Sequence, residues 1–91
     1  MHSFLIHKRG DHVGVAVADI DSGRVLGIFM DDDSEIEVEA REPVPLGHKI
    51  AIAAVPPDEP VLEYGIPIGR SPAGFEPGQL VHTHNLRSAR W

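Results

Sequence analysis

From residue 35 to residue 40 the chain alternates strictly, Glu35-Ile36-Glu37-Val38-Glu39-Ala40. In an extended segment this puts three glutamates on one face and Ile36, Val38 and Ala40 on the other, which predicts a strand with one wet side. Residues 12–18 alternate differently. Val13, Val15 and Val17 interleave with His12, Gly14, Ala16 and Ala18, so the second face carries small side chains that let another layer of backbone approach, as expected of a central strand. Further strands are predicted over residues 4–7, 25–29, 49–55, 60–64 and 80–84, each bounded by Gly, Pro or Asp turn signals, with a turn over residues 19–23. Nine glycines and eight prolines interrupt the chain too often for a long helix, and Val and Ile dominate between them. The expectation is an all-β fold with little or no helix, in which short strands close into a small barrel or clip-like sandwich as one domain over residues 1–91.

Composition narrows the function. A chain of 91 residues has a modest core and no room for a multidomain enzyme, so a complete active-site cleft is not expected within one copy. Fourteen acidic residues against eight basic give a net charge of −6, and without a Lys/Arg cluster this argues against a nucleic-acid partner. The absence of cysteine removes disulfides, zinc ribbons and iron–sulfur clusters together. Near the start the apolar run is only Phe4-Leu5-Ile6, which predicts neither a signal peptide nor a membrane span and suggests a cytoplasmic protein. So small a core also predicts apolar edges such as Phe75, Leu86 and Trp91 that need cover, by self-association or by a partner. The Asp31-Asp32-Asp33 run lacks the glycine and the spaced ligands of a calcium loop and reads as a solvated turn.

Three segments carry candidate chemistry. His82 and His84 lie two residues apart in a predicted strand and would share a face, with Thr83 opposite. Two imidazoles can transfer a proton or donate hydrogen bonds to an anion, whereas a metal site generally needs more ligands than this pair supplies. In Pro45-Leu46-Gly47-His48-Lys49 a turn delivers His48 and Lys49 to the mouth of the next strand, facing opposite sides if both are on regular strand. His48 is the better proton-transfer candidate, and Lys49 more naturally pairs with a carboxylate. The segment Tyr64-Gly65-Ile66-Pro67-Ile68-Gly69-Arg70 is bracketed by glycines but is not a phosphate-binding loop, since no helix is expected after it. Tyr64 has an equally good reading as a packed ring with a tethered hydroxyl.

Together, Gly47-His48-Lys49-Ile50-Ala51, Tyr64-Gly65 with Ile68-Gly69-Arg70, and Val81-His82-Thr83-His84-Asn85 resemble the SAF-type domain of the altronate and galactarate dehydratase family. The opening Gly10-Asp11-His12-Val13-Gly14-Val15-Ala16-Val17 fits the same domain, so the resemblance spans almost the whole chain. It implies a β-clip fold and a lyase that eliminates water from a sugar acid with a divalent metal, usually iron or manganese. The sequence stops at Trp91, where longer family members continue into a large catalytic domain. It is similar in this respect to the separate small subunits of two-subunit relatives, including sulfolactate sulfo-lyase, whose basic-Trp ending is like Arg87-Ser88-Ala89-Arg90-Trp91. The His-x-His-Asn phrase is less like galactarate-specific members and favours the altronate and sulfolactate branches.

The resemblance therefore implies a small, non-autonomous subunit, inactive alone, whose partners are a large catalytic subunit of the same family and a small acidic substrate. The metal would be held mainly by the large subunit, by ligands this sequence leaves unknown. Dehydrating a 2,3-dihydroxy acid requires removal of a proton beside a carboxylate, a cation to stabilise the resulting dianion, and an acid to protonate the departing hydroxyl. His48, His82 and His84 are the expected proton-transfer residues. Lys49, Asn85, His12, Tyr64 and Arg70 are the expected substrate contacts. A carbon–sulfur lyase acting on sulfolactate, and a binding module for sugar acids or proteins that catalyses nothing, are the alternatives.

Overall fold

The computed structural model describes residues 2–82 and 86–88. Across these residues the fold is all-β, without helix. Its strands are β1 (Phe4–Ile6), β2 (Val13–Ala16), β3 (Gly23–Phe29), β4 (Glu35–Ala40), β5 (Lys49–Ala51), β6 (Pro60–Glu63), β7 (Ile66–Arg70), β8 (Leu80–Val81) and β9 (Arg87–Ser88). They form a six-stranded sheet in the order β4-β3-β1-β2-β5-β8 and a three-stranded sheet in the order β6-β7-β9. Pairing is antiparallel except between β1 and β3, which run parallel.

The alternations in the sequence explain where each strand lies. β4 matches its predicted bounds and takes one edge of the large sheet, with Glu35, Glu37 and Glu39 in solvent and Val38 and Ala40 buried. β2 lies between β1 and β5, as its small-residue face predicted. It is covered on both sides: Ala16 belongs to a core cluster with Phe4, Ile6, Ile20, Phe29, Val44 and Ile50, while Val13 belongs to a second with Ala51, Val55, Val61, Phe75 and Val81. β5 divides the same way, since neighbouring side chains on a strand point to opposite faces. Phe75, expected at an exposed edge, is instead buried in the second cluster, bridged to Val55. Leu86 packs partly against that cluster, and Trp91 lies outside the described residues.

Two glycines make the first core possible. The fully buried Phe4 ring lies across Gly27 of β3 and Gly14 of β2. A Cβ at Gly27 would fall inside that ring, and one at Gly14 would stand 2.9 Å from both the ring and the Leu5 carbonyl. The β7 strand was not predicted, because Gly65, Pro67 and Gly69 read as loop punctuation. Pro67 is tolerated on an exposed stretch of β7 opposite a register shift in β6.

The small sheet is fastened to the large one by the loop between β1 and β2. The buried Asp11 carboxylate accepts hydrogen bonds from the backbone N–H groups of Tyr64 (2.9 Å), Gly65 (2.9 Å) and Lys8 (3.2 Å). His12 adds two bonds to Leu62: its N–H donates to the Leu62 carbonyl, and its Nδ1 accepts from the Leu62 N–H, both at 3.0 Å. The aspartate run forms an exposed turn between β3 and β4, pinned by Arg9. Arg9 donates from its backbone to Asp31 and from its guanidinium to Asp32, and stacks 4.4 Å from the Phe29 ring centroid. Hydrogen bonds from the Ser34 hydroxyl and backbone, and then from Arg9, draw the Asp32 carboxyl down from 3.8 to about 2.

Three expectations follow from this packing. Gly27→Ala should destabilise the protein by at least about 1–3 kcal/mol through overpacking against a ring that has nowhere to move, while Glu37→Ala on the wet face of β4 should stay within about 0.5 kcal/mol; urea midpoints measure both. Asp11→Ala strands three N–H donors and should cost about 3 kcal/mol, with Asp11→Asn, which keeps one acceptor, falling in between. Because its pKa is lowered on folding, Asp32 contributes stability above about pH 3.8 that is lost as the pH falls toward about 2. The stability gap between wild type and Asp32→Asn should therefore be constant above that range and shrink through it.

Candidate functional site

The β2-β5-β8 ladder brings two of the predicted histidines, His48 and His82, together. Its register pairs Val15 with Lys49 and Lys49 with Val81, so continuing one residue outward sets His48 opposite His82. Locally, Gly47 adopts φ +86 at the third position of a tight turn closed by a bond from the His48 N–H to the Pro45 carbonyl (3.0 Å). This is the conformation that calls for glycine. The same turn donates from the Gly47 N–H to the Ala16 carbonyl, and the Ala16 N–H returns a bond to the His48 carbonyl. The two imidazoles stack with centroids 5.1 Å apart and planes inclined at 22°. His48 is half-buried, and its Nδ1 is shut away from water with no hydrogen-bond partner among the described residues. A buried polar atom of this kind is costly until something completes it.

Lys49 faces the other way, as strand alternation predicted. Its Nζ approaches Oε1 of the buried Glu63 at 3.6 Å, and His7 Nε2 approaches Oε2 at the same distance. These are ion-pair rather than hydrogen-bond separations, with His7 contributing charge only when protonated. Burying a carboxylate requires such company. The His7 ring in turn stacks on Tyr64, with centroids 3.9 Å apart and planes within 12°. Lys49 and Tyr64 thus share one cluster, built around two residues that the sequence reading did not single out. Glu63 had a usable signal. It follows Val61 at the two-residue period of β6, and both are buried, so the parity of the strand marks an inward-facing carboxylate.

The other candidates are dispersed. His12 ties β2 to β6 through Leu62, with Nδ1 as the acceptor, which leaves the proton on Nε2. Arg70 is exposed at the end of the β6–β7 hairpin remote from Glu63, paired with Pro60, and its guanidinium donates to the Asp58 carbonyl (3.1 Å). His84 and Asn85 lie outside the described residues. A groove of about 540 Å³ lined by Ile36, Glu37, Val38, Glu39, Arg41, Ile52 and Pro77 contains none of the candidates.

The described residues do not fit a transition-metal centre. They gather no group of three or more His, Asp or Glu ligands. The near-parallel His48 and His82 rings aim their in-plane lone pairs side by side rather than at one point, whereas a catalytic site needs about three converging protein ligands. What the pair can do is hold and pass protons.

The chain is similar over nearly its full length to known lyase components. It is 38 % identical over 90 residues to the (2R)-sulfolactate sulfo-lyase subunit alpha of Chromohalobacter salexigens, covering 97 % of this chain and 96 % of that protein. With the corresponding subunit of Paracoccus pantotrophus it shares 34 % identity over 67 residues, 74 % of this chain and all of that protein. With the altronate dehydratase of Bacillus subtilis it shares 32 % identity over 89 residues, 97 % of this chain but only 17 % of that enzyme. The family model for the altronate/galactarate dehydratase SAF domain matches residues 2–89, and the chain belongs to that family.

Proposed function

We propose that this chain is the small, non-autonomous subunit of a lyase that removes water from a sugar acid such as altronate, working with a large catalytic subunit of the same family. One observation carries the reading: the same domain constitutes nearly the whole of a separate subunit in one relative and 17 % of a dehydratase in another. The proton-transfer role falls on the stacked His48–His82 pair and on His84, which follows it in the chain, with Asn85 a candidate for contact with substrate. Lys49 is committed to Glu63 on the opposite face of β5, so this reading gives it charge balance in a buried cluster rather than direct hold on the substrate. Iron or manganese, expected in the assembled enzyme, belongs here with the large subunit, since the described residues of this chain do not converge on an ion.

A second reading is favoured by the full-length match to the sulfo-lyase subunit alpha, in which the assembled enzyme releases sulfite from (2R)-sulfolactate. Abstraction of a proton beside the carboxylate is common to both, so the same imidazoles would serve.

Steady-state kinetics of the reconstituted complex test the proposal. The chain alone should turn over neither substrate. Mixed with the large subunit it should support dehydration of altronate, and sulfite release in its place would select the second reading. His48→Ala and His82→Ala should each lower turnover by about two orders of magnitude, the usual loss for a positioned proton-transfer group, with Glu37→Ala unchanged. Full activity of the large subunit by itself would reduce this chain to an attachment.

A further inference from the structure

Tyr64 stands where its side chain is least expected. Its φ is +58, the left-handed region that is unfavourable for an ordinary L-residue and that glycine or asparagine enters more easily. The strain cannot relax, because the buried Asp11 carboxylate holds the Tyr64 and Gly65 N–H groups. Beneath, the ring rests on His7. Even so, the residue is 60 % exposed, as is Ile66 two positions on. Strained residues persist where the surrounding structure over-determines them, and they concentrate at functional positions. A rigid, exposed aromatic beside an exposed aliphatic is the composition of an interface anchor.

Charge points the same way. Lys8 is exposed, lies with its stem against Gly65, and, like the exposed Arg41 and Arg70, makes no ion pair among the described residues, whereas Arg9, Arg24 and Lys49 each face a carboxylate. On a chain of net charge −6, this tip presents a cation next to apolar surface. The other large exposed apolar side chains, Val17, Leu26, Met30 and Leu46, lack this combination of a fixed aromatic, an aliphatic neighbour and an adjacent lysine.

We propose that the Tyr64–Gly65 tip of the β6–β7 hairpin, with Ile66 and Lys8, is the face by which this domain docks onto the large subunit, whose complementary surface is an apolar recess rimmed by carboxylates. The inference rests on the small-subunit reading. That reading supplies the need: a domain that is covalently part of a longer dehydratase in one relative and a separate subunit in another must, when separate, carry its attachment on its own surface.

Binding of the full chain to the large subunit encoded in the same genome, followed by isothermal titration calorimetry beside urea unfolding, tests it. Tyr64→Gly relieves the φ strain and should leave the unfolding midpoint near or above wild type while weakening association at least about tenfold, the loss expected for an interface anchor. Lys8→Glu should weaken association and flatten its dependence on salt, and Leu46→Ser should bind as wild type. Wild-type binding by both Tyr64→Gly and Lys8→Glu, or loss of binding in Leu46→Ser instead, overturns the docking face while leaving the subunit reading intact. Self-association abolished by Tyr64→Gly would assign the tip to a second copy of this chain and overturn it likewise. A wild-type chain that ignores the large subunit sinks the small-subunit reading itself, and this inference with it.

Discussion

The rest of the structure depends on one constraint, the burial of both faces of the β2-β5 pair. Val13 and Ala51 look into one core, while Ala16 and Ile50 look into the other. A strand covered on both sides has no freedom to slip, since a shift of one residue would exchange its entire set of inward side chains. The register from Val15 through Lys49 to Val81 is therefore fixed by packing rather than by local turn preference. Everything chemical on the domain inherits that register. It stacks His48 on His82, and it sends Lys49 across the sheet to Glu63.

Parity in β5 also explains why the candidate residues divide into two groups. Adjacent in sequence, His48 and Lys49 are separated by the thickness of the sheet and serve different environments. The imidazole pair sits at the end of the ladder, partly open and with one polar atom unsatisfied among the described residues. The Glu63 cluster has its charges matched within the protein. An incomplete group and a completed one suit different tasks: under the proposed function the first suits chemistry shared with another protein, and the second suits the junction of two sheets.

The sequence made the strands with strict alternation legible. β4 was read to the residue, because glutamate and aliphatic side chains cannot exchange faces. β2 and β5 were located but overextended, since Val17, Ile52 and Val55 continue the β-rich composition past the last paired residue. β7 was hidden by its glycines and proline, and β9 by its shortness. At the site, the local motifs were visible, but the His48–His82 stack was not, because it depends on pairing residues more than thirty positions apart. His7 was missed for a related reason, since it looks like an ordinary polar residue at a strand end until β6 is laid over the sheet, and the one mark of Glu63 in the sequence is its parity with Val61.

The three glutamates of β4 bear on how copies of this molecule meet one another. Among the described residues β4 pairs with β3 alone and stands at an edge of the large sheet, and a sheet edge offers unpaired backbone groups to a passing strand. Two such edges brought together antiparallel would set Glu35, Glu37 and Glu39 against the same residues of the other copy, and like charges directly opposite destabilise a strand pair. The alternation that places β4 in the fold therefore also disfavours growth of the sheet from one molecule to the next along this edge.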